Sequence, residues 1–204
     1  MKFNNERDIE IPAILEFINS YPVNTLLDVG AHWSHAFYAP EVRKLVKNYD
    51  ALDILPDPLT AKIVNKYWQK NVLDFNAGKY DMVISISSIE HAGITTYQVE
   101  DYKTEQLAVF CKILDLAKKY VLLTFPYGKE ALHEGQFANI TKEQLDKFID
   151  RTLNTEKIFM DFYFSESPVI DKIPYRKVDK EFADNVEYLR EQGTRCFCIL
   201  HIVL

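Results

Sequence analysis

Acidic side chains recur at the ends of apolar runs in this sequence, and their spacing suits a ligand that contains a ribose. Leu26-Leu27-Asp28-Val29-Gly30-Ala31 is an apolar run ending in an acid and then a glycine, where the backbone can turn sharply and a ligand can approach closely. Asp53 closes the next such run, at about the interval expected of an acid that holds a ribose hydroxyl pair. Asp74 follows a third run and Tyr80-Asp81 enters a fourth, so acids stand in strand-end register beyond what surface accident supplies. Trp33 lies in the first loop, where an indole could stack on a ring or cover a bound molecule, or fill the gap left by a lengthened loop. His32, His35, His91 and His133, with Glu134, could in principle gather a metal, but their spacing matches no compact ligand signature, and no metal is expected. Cys111 falls in a helical pattern, while Cys196 and Cys198 alternate along a strand and supply only half of a tetrahedral zinc site; all three read as reduced thiols.

The elements that must carry these residues alternate between strand and helix for most of the length, the pattern of parallel strands joined by helical crossovers. An amphipathic helix from about Asp8 to Ser20, with Ile11, Ile14, Leu15 and Ile18 on one stripe, precedes a strand at Thr25 to Val29. Pro40-Glu41 marks the first turn of a helix ending near Lys47. The spacing then predicts a strand at Tyr49 to Ile54 and a short helix opened by Asp57-Pro58 that reaches Tyr67, with Trp68 packed at its end. Strands follow at Asn71 to Leu73 and, most clearly, at Asp81 to Ile86. Glu100 to Lys118 has helical spacing, and Tyr120 to Phe125 is a continuous apolar run suited to a strand covered on both faces. Thr141 and Gln144 have the form of a capping box for a helix to about Arg151. A strand at Lys157 to Phe164, a helix near Lys180 to Glu191 stopped by Gly193, and a strand at Arg195 to Val203 follow. The last two strands lack a crossover helix, which predicts an antiparallel hairpin with an elaborated connection. That connection, Ser165 to Lys180 with Pro168, Pro174 and Tyr175, would hang over the ligand edge of the sheet or make a plain surface excursion.

A length of 204 residues fits one domain spanning 1–204, large enough for a three-layer core. The net charge of -6 opposes phosphate backbones and anionic lipid, so nucleic acid and membrane are not expected partners, and a small-molecule substrate is. The opening residues are polar, and no apolar run approaches the roughly 20 residues that span a bilayer, which sets the expected location as cytoplasmic.

On these residues the sequence resembles the class I, Rossmann-like methyltransferase family, over nearly its whole length and in the expected order. The resemblance implies an α/β three-layer sandwich around a seven-stranded, mostly parallel sheet with an antiparallel last strand, and S-adenosylmethionine as cofactor. Under it, Asp28, Gly30 and Ala31 form the loop beside the methionine part, Asp53 binds the ribose hydroxyls, and Asp74, after Val72-Leu73, meets the adenine amino group. Ser85-Ile86-Ser87-Ser88-Ile89-Glu90-His91 is similar to the segment after the fourth strand that faces cofactor and substrate. Ser87 is thereby assigned to the cofactor. His91 becomes the catalytic base or a cap of the strand-loop junction, and Glu90 orients it or binds substrate. Trp33, Tyr127 (in Phe125-Pro126-Tyr127-Gly128) and His133 become candidates for substrate contact. The Ser-Ser-Ile-Glu-His wording is similar to that of sugar- and cell-surface-associated methyltransferase-like proteins, so the expected acceptor is small, polar and sugar-related. The family's loop carries three alternating glycines where this chain has Gly30, His32 and Ser34. The alternative is therefore a methyltransferase-like binding or scaffold protein that has lost turnover. A nicotinamide-dependent dehydrogenase fits less well, because the first loop lacks the glycines that admit a pyrophosphate.

Overall fold

The computed structural model describes residues 6–94, 101–133, 136–152, 155–166, 175–189 and 193–204. Strands β1 (Thr25–Val29), β2 (Asn48–Asp53), β3 (Lys66–Gln69), β4 (Tyr80–Ile86) and β5 (Ala117–Pro126) pair in parallel in the order β3-β2-β1-β4-β5. A small hairpin, β6 (Leu132–His133) and β7 (Phe137–Ala138), stands apart from the sheet. Beyond β5 the sheet continues through β10 (Thr194–Val203), β8 (Lys157–Glu166) and β9 (Arg176–Val178), each antiparallel to its neighbour. β8 therefore runs parallel to the first five strands.

Period-2 alternation splits the apolar residues of these strands between two cores. Leu26, Tyr49, Met82, Ile84 and Leu122 face α1 (Arg7–Ser20) and α2 (Ala39–Leu45), which add Ile14, Phe17, Ile18 and Val42. Leu27, Val83, Val121, Leu123 and Phe125 face α3 (Tyr102–Leu116) and α4 (Lys142–Asp150), which add Phe110, Ile113, Leu145 and Phe148. The Phe110 and Phe148 rings stack at 4.3 Å between those two helices. β4 is buried at every position, as a central strand covered on both faces must be. The capping box of α4 is present: Thr141 Oγ1 accepts from Gln144 N at 3.4 Å and Gln144 Oε1 accepts from Thr141 N at 3.1 Å.

Four expectations need correction. The sheet has eight strands rather than seven, because Arg176–Val178 adds β9 against β8. β3 lies at Lys66–Gln69, not Asn71 to Leu73; the Asn71 side chain accepts from Leu73 N at 2.9 Å and winds Val72–Asp74 into a 3-10 turn. The helix expected from Asp57 to Tyr67 shrinks to a turn at Thr60–Lys62, because Asn65 joins β2 through its N–H to Tyr49 O (2.7 Å) and its Oδ1 from Tyr49 N (2.9 Å). The helix near Lys180 is α5 (Lys180–Asp184) and ends at Asn185, whose N–H turns back to Ala183 O and Phe182 O. Of the segment expected over the ligand edge, Pro168 and Pro174 lie outside the described residues, as does Glu134. Among the described residues no helix is long and apolar enough to cross a membrane.

Candidate active site

The carboxyl ends of β1, β2 and β4 bring Gly30, Asp53 and Ser87 to one edge of the sheet. Gly30 has φ 78, and its N–H donates to Leu52 O at 2.8 Å, closing the turn out of β1. A Cβ at residue 30 would lie 1.7 Å from Ser88 Oγ, so glycine is required there by the packing of Ser88 as well as by the dihedral. Ala31 is fully buried, and its N–H is shared with Leu52 O at 3.3 Å. Asp53 spans the first two loops: Oδ2 accepts from His32 N at 2.9 Å and Oδ1 from Leu55 N at 2.8 Å. The His32 N–H thus points at Asp53. Next to that half-buried carboxylate stand Ile54, 64% exposed, and Trp33, 58% exposed.

Asp57 fastens the loop that replaces the expected glycines. It is buried, Oδ2 accepts from Trp33 N (2.8 Å), Thr60 Oγ1 (2.7 Å) and His35 Nδ1 (3.0 Å), and Oδ1 accepts from Leu59 N and Thr60 N at 3.0 Å. Burial opposes ionisation, but the hydrogen bonds from Thr60, Trp33 and His35 outweigh it and hold the carboxyl well below its ordinary range. Trp33 is pinned in the left-handed region at φ 71, with its ring stacked 6.3 Å from that of His35. Ser34, at one of the family's glycine positions, lies buried with Oγ 3.3 Å from Thr60 Oγ1.

At the end of β4, Ser87 has φ 44, a conformation that costs a non-glycine residue free energy and collects at functional sites. Its N–H donates to Thr124 O and Oγ1, both at 3.0 Å. Its hydroxyl donates to Glu10 Oε1 at 2.9 Å and accepts from Arg7 Nη1 at 3.0 Å, and Arg7 also pairs with Glu10 Oε2 at 2.6 Å. The first turn of α1 is therefore part of this edge. Glu90 follows in a 3-10 turn, 3% exposed, and burial, reinforced by Glu10, pushes its carboxyl well above the ordinary range. His91 is exposed, with Nδ1 2.7 Å from Gln136 O and Nε2 4.0 Å from Glu90 Oε1. A carbonyl only accepts, so Nδ1 carries a hydrogen and Nε2 is the ring nitrogen on the Glu90 side.

Other expected site residues fall elsewhere. Asp28 is fully buried, its oxygens taken by Tyr38 Oη (3.1 Å) and Tyr49 Oη (2.8 Å), so it braces β1 against β2 and has no access to a ligand. Tyr127 is likewise fully buried, with its hydroxyl on Asp184 Oδ1, and it supports α5 rather than lining an open site. His133 packs 4.3 Å from Phe137 and 4.0 Å from Tyr188, in the hairpin whose Phe137 ring also lies 5.9 Å from His91. Asp74 is exposed in the turn after β3. Arg7, Glu10 and Asp57 were not expected. Glu10 carried a signal: it stands four residues before Ile14 on the apolar stripe of α1, an acid at a core position.

No family model matches the sequence, and no curated protein matches it. Solved structures do match in fold. Magnesium protoporphyrin IX methyltransferase from Synechocystis PCC 6803, with bound SAM, aligns at TM-score 0.57 over 97% of this chain and 79% of that one, at 10% identity. The N-methyltransferase NodS from Bradyrhizobium japonicum WM9, in complex with S-adenosyl-L-homocysteine, aligns at TM-score 0.52 over 98% and 89%, also at 10% identity. A small RNA methyltransferase aligns at TM-score 0.62 over 96% of this chain and 25% of that one, at 14% identity. The fold is that of the class I methyltransferases, with one added edge strand.

Proposed function

We propose that the chain is an S-adenosylmethionine-dependent methyltransferase acting on a small polar acceptor. The observation that carries this reading is Asp53, held by His32 N and Leu55 N at the end of β2 with exposed Ile54 beside it. A carboxylate has more lone pairs than those two donors use, enough for a pair of ribose hydroxyls, and Ile54 offers an apolar face to an adenine. Gly30, Ala31, Asp53, Asp74 and Ser87 would hold the cofactor, which when bound supplies an electrophilic methyl group. His91 Nε2 takes the proton that an acceptor nitrogen or oxygen gives up, and the Gln136 carbonyl keeps it in the tautomer able to do so.

A methyltransferase-like binding protein without turnover is the second reading, favoured by Ser88, whose hydroxyl lies against Gly30 where the family's cofactor would run. Calorimetry with S-adenosylmethionine and S-adenosylhomocysteine separates the two. Micromolar binding that Asp53→Ala weakens by about 2 kcal/mol or more supports the enzyme. Failure of both nucleosides to bind, or an Asp53→Ala protein of unchanged affinity, removes the cofactor assignment.

A further inference from the structure

The main chain of the first loop, which the resemblance sets beside the methionine part of the cofactor, has no donor left for a ligand. From Gly30 to Tyr38 every N–H is bonded inside the protein. Gly30 and Ala31 donate to Leu52 O, His32 to Asp53 Oδ2 at 2.9 Å, Trp33 to Asp57 Oδ2 at 2.8 Å, His35 to Thr60 Oγ1 at 3.1 Å, and the rest to carbonyls of the loop itself. Successive N–H groups around left-handed residues form a concave seat for an anion. Gly30 and Trp33 are left-handed here, but the anions in place are Asp53 and Asp57 of the protein. Space is taken as well as donors, because the face of Gly30 on which a Cβ would stand is filled by Ser88 Oγ, 1.7 Å from that position.

Side chains do not replace the missing donors. No lysine or arginine lies between Gly30 and Tyr38. The guanidinium over the Phe37 ring, that of Arg7, is already on Glu10 at 2.6 Å and Ser87 at 3.0 Å. His32 Nδ1 is buried without a partner, one nitrogen against a group with two oxygens and a full charge. A carboxylate brought to this loop would leave water for no more than that nitrogen. It would also face Asp53 and Asp57, the second of which its hydrogen bonds keep ionised.

We propose that this site recognises an adenosyl ligand by its nucleoside and gives the amino-acid carboxylate of S-adenosylmethionine no seat, so that adenosyl thioethers and sulfonium compounds lacking that carboxylate are taken as readily as those that carry it. This rests on the methyltransferase reading above and deepens it. Asp53 and Ile54 carry the recognition, while Gly30 and Ala31 border the ligand without donating to it. The substitution of His32 and Ser34 for glycines fits the same account, since a loop that binds its own carboxylates has no anion to approach closely.

The probes are S-adenosylhomocysteine and the same thioether without its carboxylate, S-adenosyl-3-thiopropylamine, each titrated calorimetrically into the wild type. The decarboxylated compound is expected to bind within about threefold of S-adenosylhomocysteine or more tightly, whereas a seated carboxylate would contribute about tenfold or more. Asp53→Ala is expected to weaken both compounds by the same factor, which places them in one site. A preference for S-adenosylhomocysteine above about threefold, or a decarboxylated compound indifferent to Asp53→Ala, overturns the inference. Either result leaves the methyltransferase reading intact as long as S-adenosylhomocysteine binds through Asp53. If neither compound binds the wild type, both fall together.

Discussion

Asp28 holds its proton to a pH at which an exposed aspartate has long lost it. Burial lifts the carboxyl to about 7 against the contrary pull of the Tyr49 and Tyr38 hydroxyls. The unfolded chain ionises this group near 4 and the folded chain near 7, so between those values the unfolded state binds fewer protons and stability falls as pH rises. The contribution is whole below about pH 4, is lost as pH climbs through about 7, and amounts to a few kcal/mol. Asp28→Asn keeps the shape and removes the ionisation. Its stability relative to wild type in urea is expected to rise by about 2–4 kcal/mol between pH 4 and pH 8, and a constant difference across that range would refute the assignment. His91→Ala, at an exposed position, is expected to leave S-adenosylhomocysteine affinity within about twofold while cutting kcat by roughly 100-fold or more, read from methyl transfer to a small polar acceptor. Residue types and register make Gly30, Asp53, Ser87, Glu90 and His91 legible at one edge. They do not reveal that Tyr38 and Tyr49 close over Asp28, or that Asp184 takes the Tyr127 hydroxyl, because those partners arrive from elements remote in the chain.

Loops out of β1 and β2 are knotted by Asp57, and the turn into the first of them depends on Gly30. Gly30→Ala imposes two costs: a left-handed dihedral on a residue with a Cβ, and overlap of that Cβ with Ser88 Oγ. The substitution is expected to destabilise by about 2–4 kcal/mol in chemical denaturation. Ser88→Gly in the same chain should recover the overlap and leave about 1 kcal/mol for the dihedral, whereas simple additivity of the two changes would mean the contact is not the cause. Elements with long regular periods, such as α1, α3 and β4, are legible within a few residues. β3 is not: Lys66–Gln69 is short and partly exposed, with two aromatics that read equally well as the end of a helix, and only pairing with β2 decides it. β9 is missed for a similar reason, since three residues with two cations carry no alternation and gain strand geometry from β8 alone.

For the molecule as a whole, a ligand bound across the ends of β1, β2 and β4 ties several elements together and stabilises only the folded state. S-adenosylhomocysteine at 100 times its Kd adds about 2.7 kcal/mol. For a chain of this size that raises Tm by roughly 5–10 °C, and a Tm unmoved at millimolar nucleoside would contradict the cofactor site. Alternation of strands and helices makes the doubly wound architecture readable from the sequence, and the hairpin of β8 and β10 follows from the missing crossover between them. β10 also sits in the middle of its neighbourhood, with Phe197 to Val203 paired to β5 on one side and its full length paired to β8 on the other. During synthesis β5 and β8 leave the ribosome first, so a nascent chain arrested before Thr194 presents two apolar strand edges separated by a strand-wide gap. Such edges recruit strands from other molecules. Stalling or truncation within Thr194–Val203 is therefore expected to send the product into inclusion bodies, where loss of an outer strand such as β9 would not.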